Sequence, residues 1–235
     1  MSVTPHVTVL SGALGAGSRT ERLARWCARE CLSRGATATL FGGAELDFPF
    51  YGEPGRHGPR VARFLDDLAR ADGVVLVTPA YHGSVSGLLK NALDYVNELA
   101  ADARPFFDAR AVGCVALAGG EQGAAATLAT MRAIVHALRG WPTPLGVGVT
   151  GGSLPDGDAS PASERTRRQL GLMLDQVLFL GSVPGTGRPQ EVALPSLALT
   201  ALDAGYFDAG KSGSPRSGTS PEISVEPGLY RHADR

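Results

Sequence analysis

The chain has 235 residues, of which 43% are hydrophobic and 19% are charged, and its formal net charge at pH 7 is -1. This length and composition predict a globular protein with a full core and favour a single domain. Because positive and negative side chains are balanced and dispersed, neither nucleic acid nor another strongly charged partner is indicated.

Strand-like and helix-like segments alternate along the chain with short connections. Apolar, β-branched runs predict five strands, at residues 6–11, 36–41, 74–77, 111–118 and 143–149. Periodic apolar positions predict five helices, at residues 19–34, 59–71, 86–100, 124–139 and 164–180. This alternation is typical of an α/β fold, with a doubly wound five-stranded parallel sheet and helices on both faces.

The composition changes after Gly181, where Gly, Ser and Pro become frequent. We therefore predict a domain over residues 1–181 and a largely disordered C-terminal extension over residues 182–235. Residues 193–207 are the apolar exception within this extension. We expect them either to pack on the domain or on a second subunit, or to form a partly ordered linker.

The three cysteines, Cys27, Cys31 and Cys114, lie in predicted helices or strands. Their odd number argues against a disulfide framework and favours a reducing cytoplasm. Cys27 and Cys31 have a helical i, i+4 spacing that would suit a metal or redox pair, but unpaired cysteine is mostly a buried apolar residue. We expect no export and no membrane insertion, because no apolar stretch approaches the roughly 20 residues that span a bilayer.

The loop after the first predicted strand has the composition of an anion-binding site. In a sheet of this kind, ligands bind outside the carboxyl ends of the strands. Amides at a helix N-terminus and the positive end of its dipole stabilise a phosphate, and the candidate residues are Gly12, Gly17, Ser18, Arg19 and Thr20. A purely structural alternative is that Ser18 caps the helix and forms a capping box with Glu21.

The same loop matches neither of two common nucleotide-binding motifs. Gly12, Gly15 and Gly17 lack the spacing of the G-x-G-x-x-G fingerprint, and Glu45 is poorly placed as a ribose acceptor. A P-loop is excluded because the loop contains no lysine. A mononucleotide is therefore the favoured ligand.

The most specific motif follows the third predicted strand. Residues 78–95 read Thr-Pro-Ala-Tyr-His-Gly-Ser-Val-Ser-Gly-Leu-Leu-Lys-Asn-Ala-Leu-Asp-Tyr. This stretch resembles the motif Thr-Pro-Glu-Tyr-Asn-Gly-Ser-x-Pro-Gly-x-Leu-Lys-Asn-Ala-x-Asp of the NADPH-dependent FMN reductase family, whose fold is flavodoxin-like. The resemblance extends over residues 6–181 through the order of predicted elements, and residues 46–51 resemble the family's short link after the second strand.

The sequence departs from the family pattern in both loops. Where the family has Gly-Ser-x-Arg-x-x-Ser, Ala13 replaces Ser and Gly15 replaces Arg, so two customary phosphate contacts are missing. Arg19 either restores the lost charge from a neighbouring position, or the FMN phosphate is bound more weakly. The second loop has three further replacements, Ala80 for Glu, His82 for Asn and Ser86 for Pro.

By this resemblance, the chain is a flavoprotein oxidoreductase that binds FMN and NADPH or NADH. The second loop would contact the isoalloxazine edge, largely through its backbone, with residues Pro79, Ala80, Tyr81, His82, Gly83 and Ser84. The third loop would lie along the pyrimidine side, where charge developing at N1 and O2 is stabilised by Gly119, Gly120 and Gln122. His82 is interpreted either as a polar contact at the Asn position or as a proton-transfer group.

The expected activity is hydride transfer from the nicotinamide to flavin N5, with no catalytic side chain assigned and no metal. Reduced flavin would then leave for a partner such as a flavin-dependent monooxygenase, and the missing phosphate contacts favour such exchange. The first alternative is an FMN-bound reductase of quinones, azo or nitro compounds. The second is a flavodoxin-like electron carrier or a cofactor-free binding module, although a carrier usually has a strongly acidic face for docking.

The resemblance also implies a homodimer or homotetramer in which neighbouring subunits help to close the flavin site. The predicted helix at residues 86–100 is a candidate contact surface through Tyr95 and Leu99, although packing within one chain explains the same residues. Neither nucleic acid nor a membrane is expected as a partner.

Overall fold

The structure, a computed structural model, describes residues 4–52, 58–151, 154 and 161–181. Within these ranges the strands are β1 His6–Ser11, β2 Thr37–Gly42, β3 Gly73–Pro79, β4 Ala111–Ala118, β5 Trp141–Pro142 and β6 Val147–Thr150. The α-helices are α1 Arg19–Ser33, α2 Pro59–Arg70, α3 Gly87–Asp94, α4 Glu121–Ala137 and α5 Pro161–Gly181. Two short 3-10 helices cover Gly43–Glu45 and Tyr95–Ala101. The extension over residues 182–235, with its apolar segment at 193–207, lies outside the described residues.

The strands form one parallel sheet in the order β2-β1-β3-β4, and both β5 and β6 pair with the remaining edge of β4. Central strand β3 is buried along its length up to Thr78, as expected for a strand covered by helices on both faces. The strand order reverses between β1 and β3, which is where open sheets of this kind bind ligands. The predicted flavodoxin-like, doubly wound sheet is confirmed.

Two predicted elements are divided in the structure. Where one strand was expected at residues 143–149, the structure has β5 just before this range and β6 over its second half, on the same edge and joined by a segment that contains Pro144. Proline has no amide hydrogen to give to a strand ladder, so regular pairing stops there. The helix expected at residues 86–100 is α-helical only to Asp94 and continues as a 3-10 helix to Ala101.

The core consists of one apolar layer on each face of the sheet. Helices α2, α3 and α4 cover one face, around Phe41, Phe64 and Phe107. Helices α1 and α5 cover the other face, around Trp26 and Met173. Each layer buries side chains of alternate sheet residues, which fixes the register of the strands.

The three cysteines are buried and unpaired, as predicted. Cys27 and Cys31 lie in α1 under one face of the sheet, and Cys114 lies in β4 and faces the other layer. Tyr95 and Leu99, suggested above as a subunit contact surface, are only 2% and 5% exposed. That suggestion is wrong for these two residues, because both pack into the core of their own chain.

A buried arginine closes the amino end of the sheet. The Arg110 side chain is fully buried, and its guanidinium donates hydrogen bonds to five backbone carbonyls, of Ala69, Ala71, Arg104, Phe106 and Asp108. Two of these carbonyls end α2 and three belong to the loop before β4. Burial, with the nearby charge of Arg104, lowers the pKa of Arg110 to about 10. The group is therefore a structural clamp that satisfies carbonyls with no helical partner.

A second polar cluster lies at the same end of the sheet, around the buried carboxylate of Asp67. It accepts hydrogen bonds from the hydroxyl of Thr8 at 2.6 Å and pairs with Nε2 of His6 at 3.1 Å. Burial alone would raise the pKa of Asp67, but these hydrogen bonds and the charge of His6 outweigh it and lower the pKa.

None of the helices within the described ranges is long and apolar enough to cross a membrane.

Candidate functional site

Three glycine-bearing loops meet at the carboxyl edge of the sheet, after β1, β3 and β4. The Ser86 hydroxyl, from the second loop, donates to the carbonyl of Gly12 in the first loop at 2.6 Å. The amide of Ala80 donates to the carbonyl of Leu117, at the end of β4, at 2.7 Å. From α4, the hydroxyls of Thr127 and Thr130 lie 3.4 Å from the carbonyls of Ser84 and Gly83. The three predicted loops are therefore neighbours in space.

Gly12 begins the first loop in a space that has no room for a side chain. A Cβ atom there would lie 2.8 Å from the Ser86 hydroxyl and 3.1 Å from both Leu89 Cβ and Thr78 Oγ1. The Gly12 amide donates to the carbonyl of Val77 at 2.7 Å. Glycine is required here because β1 and the second loop approach each other across this single residue.

The first loop ends in the predicted helix cap, with one difference. The Ser18 hydroxyl accepts the amide of Glu21 at 3.2 Å, as in a capping box. The Glu21 carboxylate, however, accepts the amide of Gly17 instead of the amide of Ser18. The Ser18 amide donates to the carbonyl of Gly15 at 3.2 Å. A carboxylate of the chain itself thus reaches into the predicted phosphate loop.

Two of the other predicted first-loop residues, Arg19 and Thr20, do not offer their polar groups freely to the loop. Arg19 is exposed, and its guanidinium donates to the carbonyl of Gly151, after β6, so it is not aimed freely at the loop. Thr20, expected to offer a hydroxyl at the helix start, is buried. Ser11, the last residue of β1, has a fully buried hydroxyl for which the described residues supply no hydrogen-bond partner. Such a group is uncommon in a folded protein and is typical of a position that a ligand or water completes.

The second loop contains a tight turn from Tyr81 to Ser84. These two residues exchange backbone hydrogen bonds of 3.0 Å, and the two residues between them, His82 and Gly83, have positive φ angles of 52° and 78°. Positive φ at both central positions is the signature of a type I′ turn, for which Asn-Gly is the preferred pair. His82 therefore stands where the turn itself favours Asn, and its first role is conformational. Tyr81 is 58% exposed beside it.

The third loop exposes backbone at the start of α4. Gly119 and Gly120 are exposed, and a Cβ atom on either would meet no atom within 4 Å. Gly120 is the N-cap of α4, and no side chain caps the helix. The first turn of α4, which begins at Glu121, therefore has backbone amides that no capping side chain accepts. Gln122 is also exposed.

A fourth segment approaches the same edge of the sheet. Residues 46–52, after β2, are held against α3 by Asn91, whose amide donates to the carbonyls of Phe48 and Pro49 and whose oxygen accepts the amide of Tyr51. The Tyr95 hydroxyl also donates to Pro49. Asn91, in the Lys-Asn-Ala part of the motif, therefore holds in place the segment at residues 46–51 that resembles the family's link after the second strand.

Several residues that shape this edge were not identified as functional from the sequence. Ser86 was noted only as a departure from the family pattern, yet it caps α3 and fastens the first loop to the second. The Glu21 carboxylate and the Ser11 hydroxyl were not predicted to matter. Only Glu21 had a sequence signal, its position three residues after Ser18, and that signal indicates a cap without telling which amide the carboxylate accepts.

The accessible glycine backbone of the third loop, the uncapped start of α4 and the unpartnered Ser11 hydroxyl fit a ligand of the shape and polarity of FMN. The first loop fits less well, because the Gly17 amide is engaged by a carboxylate. The fit therefore rests more on the flavin ring than on the phosphate.

Comparisons with known proteins agree with this geometry. The family described as NADPH-dependent FMN reductase matches residues 5–152. The NADPH azoreductase of Bacillus sp. (strain OY1-2) is 30% identical over 154 residues, which are 65% of this chain and 80% of the relative. The FMN-dependent NADPH-azoreductase of Staphylococcus aureus (strain USA300) is 32% identical over 149 residues, which are 58% and 72% of the two chains.

Solved structures show the same fold. An NADH:FMN oxidoreductase in its apo form has a TM-score of 0.62 at 22% identity and covers 79% of this chain and 95% of its own. A flavoenzyme NAD(P)H:(acceptor) oxidoreductase from Paracoccus denitrificans has a TM-score of 0.54 at 18% identity and covers 75% of this chain and 97% of its own. The family match spans β1 to β6 and includes all three loops. The chain therefore belongs to the NADPH-dependent FMN reductase family and is an oxidoreductase that depends on FMN and NAD(P)H.

Proposed function

We propose that the flavin of this enzyme is held by the three loops at the carboxyl edge and reduced there by a nicotinamide nucleotide. The observation that carries this proposal is the convergence of the loops through the Ser86–Gly12 and Ala80–Leu117 hydrogen bonds. The proposed binding residues are those predicted from the sequence, Gly12, Gly17, Ser18, Arg19, Thr20, Pro79, Ala80, Tyr81, His82, Gly83, Ser84, Gly119, Gly120 and Gln122. Among them Arg19 and Thr20 contribute least, because Arg19 donates to Gly151 and Thr20 is buried.

The chain contributes position and electrostatics more than reactive side chains. Bound FMN supplies the hydride acceptor, N5, and the capacity to pass two electrons on. The uncapped amides at the start of α4 would donate hydrogen bonds to negative charge that develops on the pyrimidine side of a bound flavin. The turn at Tyr81–Ser84 would hold the edge of the flavin ring through its backbone and the exposed Tyr81 side chain.

We further propose that FMN is exchanged, so that reduced flavin is a product for a partner such as a flavin-dependent monooxygenase. The absence of Arg at position 15 and the carboxylate on the Gly17 amide both favour weak retention of the phosphate. The second candidate is a reductase that keeps FMN bound and reduces azo compounds, quinones or nitro compounds. It is supported by the names of the relatives, which are azoreductases.

Titration with FMN, followed by oxidation of NADPH and of NADH with and without added FMN, separates the two candidates. For exchange we expect weak FMN affinity and a rate that rises with free FMN. Stoichiometric retention of FMN, with turnover only after addition of an azo dye or quinone, would favour the second candidate. Failure of the protein to bind FMN would contradict both.

The placement of the flavin is tested by a matched pair of helix-capping glycines. Gly120 and Gly58 are the N-caps of α4 and α2, both have negative φ, and a Cβ atom on either meets no atom within 4 Å. Neither Gly120→Ala nor Gly58→Ala should therefore disturb the fold. We expect Gly120→Ala to weaken FMN binding at least about threefold, because its methyl group covers backbone that faces the flavin, and Gly58→Ala to leave it unchanged. Equal affinities in the two variants would contradict the placement.

We also infer a homodimer or homotetramer and a cytoplasmic location. The first rests on the family resemblance, in which a second subunit helps to close the flavin site, and the second on three buried free thiols, which suit a reducing compartment. Light scattering after size-exclusion chromatography, with and without FMN, tests the assembly. A monomer under both conditions would contradict it.

A further inference from the structure

The Glu21 side chain occupies part of the first loop as an anion of the chain itself. One carboxylate oxygen accepts a hydrogen bond from the amide of Gly17, and the other accepts one from Nε of Arg25 at 3.1 Å. Glu21 is 8% exposed, so this carboxylate lies within the structure and not in bulk solvent. Hydrogen bonds from Arg25 and from the Gly17 amide lower the pKa of Glu21, which keeps it charged at neutral pH.

An anion bound at the first loop would need free backbone amides, and three amides of this loop already have acceptors within the chain. The Gly12 amide donates to Val77, the Ser18 amide to Gly15 and the Gly17 amide to Glu21. Arg25 offsets part of the charge of this carboxylate, but the first loop itself supplies little positive charge for a phosphate. Position 15 is glycine, and the guanidinium of Arg19 is engaged by the carbonyl of Gly151. Two nitrogens of the Arg25 guanidinium donate to Glu21, and the Arg25 side chain is 58% exposed.

We propose that Glu21 is a specificity residue that reduces the preference of this enzyme for phosphorylated flavin. This inference rests on the proposed function, because it requires the flavin phosphate to lie at the first loop. A phosphate there carries up to two negative charges and has to displace, or lie close to, a carboxylate in a partly desolvated site. FMN and riboflavin then bind with similar affinity, although both present the same ring to the other two loops.

The test compares the dissociation constants of FMN and riboflavin, measured by quenching of flavin fluorescence, for the unaltered protein and three variants. In Glu21→Gln the amide oxygen still accepts the Gly17 amide, but the charge is removed. We expect FMN to bind about tenfold more tightly and riboflavin to change less than twofold. In Arg25→Gln the carboxylate loses its partner, so we expect weaker FMN binding with riboflavin unchanged.

Glu30→Gln is the control. Glu30 lies on the same helix and pairs with Arg34, but it is about 13 Å further along the helix axis, so it should change neither constant. Added salt should reduce the difference between Glu21→Gln and the unaltered protein, because screening weakens charge repulsion.

The outcomes separate this inference from the function on which it rests. If the unaltered protein binds both flavins and Glu21→Gln leaves the ratio of the two constants unchanged, the role of Glu21 is overturned and the flavin site stands. If Glu21→Gln changes both constants equally, Glu21 acts only on the shape of the loop, and the inference is again overturned. If the unaltered protein binds neither flavin, the proposed function and the inference fail together.

Discussion

Gly12 is the residue at which β1 and the second loop come closest. Replacement by Ala places a methyl carbon 2.8 Å from the Ser86 hydroxyl and 3.1 Å from Leu89 Cβ. We expect Gly12→Ala to lower the free energy of unfolding by about 1–3 kcal/mol, as overpacking of a close contact does, and to weaken FMN binding. Denaturant titration and flavin fluorescence check the two effects.

The matched control for Gly12 is Gly15, in the same loop. A Cβ atom at Gly15 meets nothing within 4 Å, and its φ is not in the left-handed region, so Gly15→Ala should change stability by less than about 0.5 kcal/mol. Equal destabilisation by the two substitutions would show that loop composition, not the contact with Ser86, determines the effect.

His82 illustrates how a departure from a family pattern can preserve a conformation. Histidine, like asparagine, adopts positive φ more readily than most residues, although asparagine is the better of the two in a type I′ turn. We expect His82→Asn to keep or slightly raise stability and to leave the hydride-transfer rate within about threefold, since the backbone of the turn is retained. His82→Val, which resists φ near 52°, should cost about 1–2 kcal/mol.

A large loss of the hydride-transfer rate in His82→Asn, with unchanged FMN affinity and stability, would contradict this conformational role. It would instead favour a proton-transfer role for the imidazole. Stopped-flow reduction of the flavin at several pH values distinguishes the two, because a titrating base gives a pH-dependent rate and a turn residue does not.

Among the elements, α3 connects the first and second loops. Its N-cap, Ser86, accepts the amide of Leu89, donates to the carbonyl of Gly12 and gives its own amide to the hydroxyl of Thr78. Proline, the family residue at this position, could make none of these bonds. Ser86 therefore ties the start of α3 both to β3 and to the first loop.

We expect Ser86→Ala to lower stability by about 1–2 kcal/mol, through loss of the cap and of a buried hydrogen bond. FMN affinity should fall as well, because the first loop loses its link to the second. Ser33→Ala, an exposed serine at the end of α1, is the control and should be nearly neutral. Calorimetric unfolding of both variants measures the difference, and equal melting temperatures would contradict a cap role for Ser86.

The elements also show what a single sequence can and cannot specify. The bounds of β1 and β4 were predicted correctly because their apolar runs are bounded by polar or glycine-rich sequence. The division between β5 and β6 was missed, although Pro144 within the predicted strand was a signal that the ladder would be interrupted. The loops of the site were predicted from glycines and motif order. The direction of the Glu21 side chain and the bonds of Ser86 were not, because both depend on contacts between segments distant in the sequence.

At the scale of the whole molecule, the carboxylate of Asp67 makes the free energy of unfolding depend on pH in the acid range. Its pKa is lowered in the folded protein, so its contribution is fully present above the ordinary aspartate value of 3.8 and is lost as the pH falls through the lower, folded value. We expect the free energy of unfolding to decrease with falling pH below about 4, and Asp67→Asn to flatten this decrease. Urea titrations at several pH values between about 2.5 and about 7 measure the slopes.

Asp66, the exposed neighbour of Asp67, supplies the control for this prediction. Asp66→Asn should leave the slope unchanged, because its carboxylate lies outside the hydrogen-bonded cluster of His6 and Thr8. An identical flattening in both variants would mean that net charge, and not the buried cluster, governs the response to acid.

The burial of the thiols makes them natural probes of partial opening. Burial raises the pKa of Cys31 to about 11 and that of Cys114 to about 12, and raises that of Cys27 further still, so alkylating reagents have no thiolate to attack in the closed state. Cys27 and Cys31 report on the layer under α1, and Cys114 reports on the opposite layer. Mass spectrometry of alkylated peptides therefore distinguishes which face of the sheet separates first, without any engineered label.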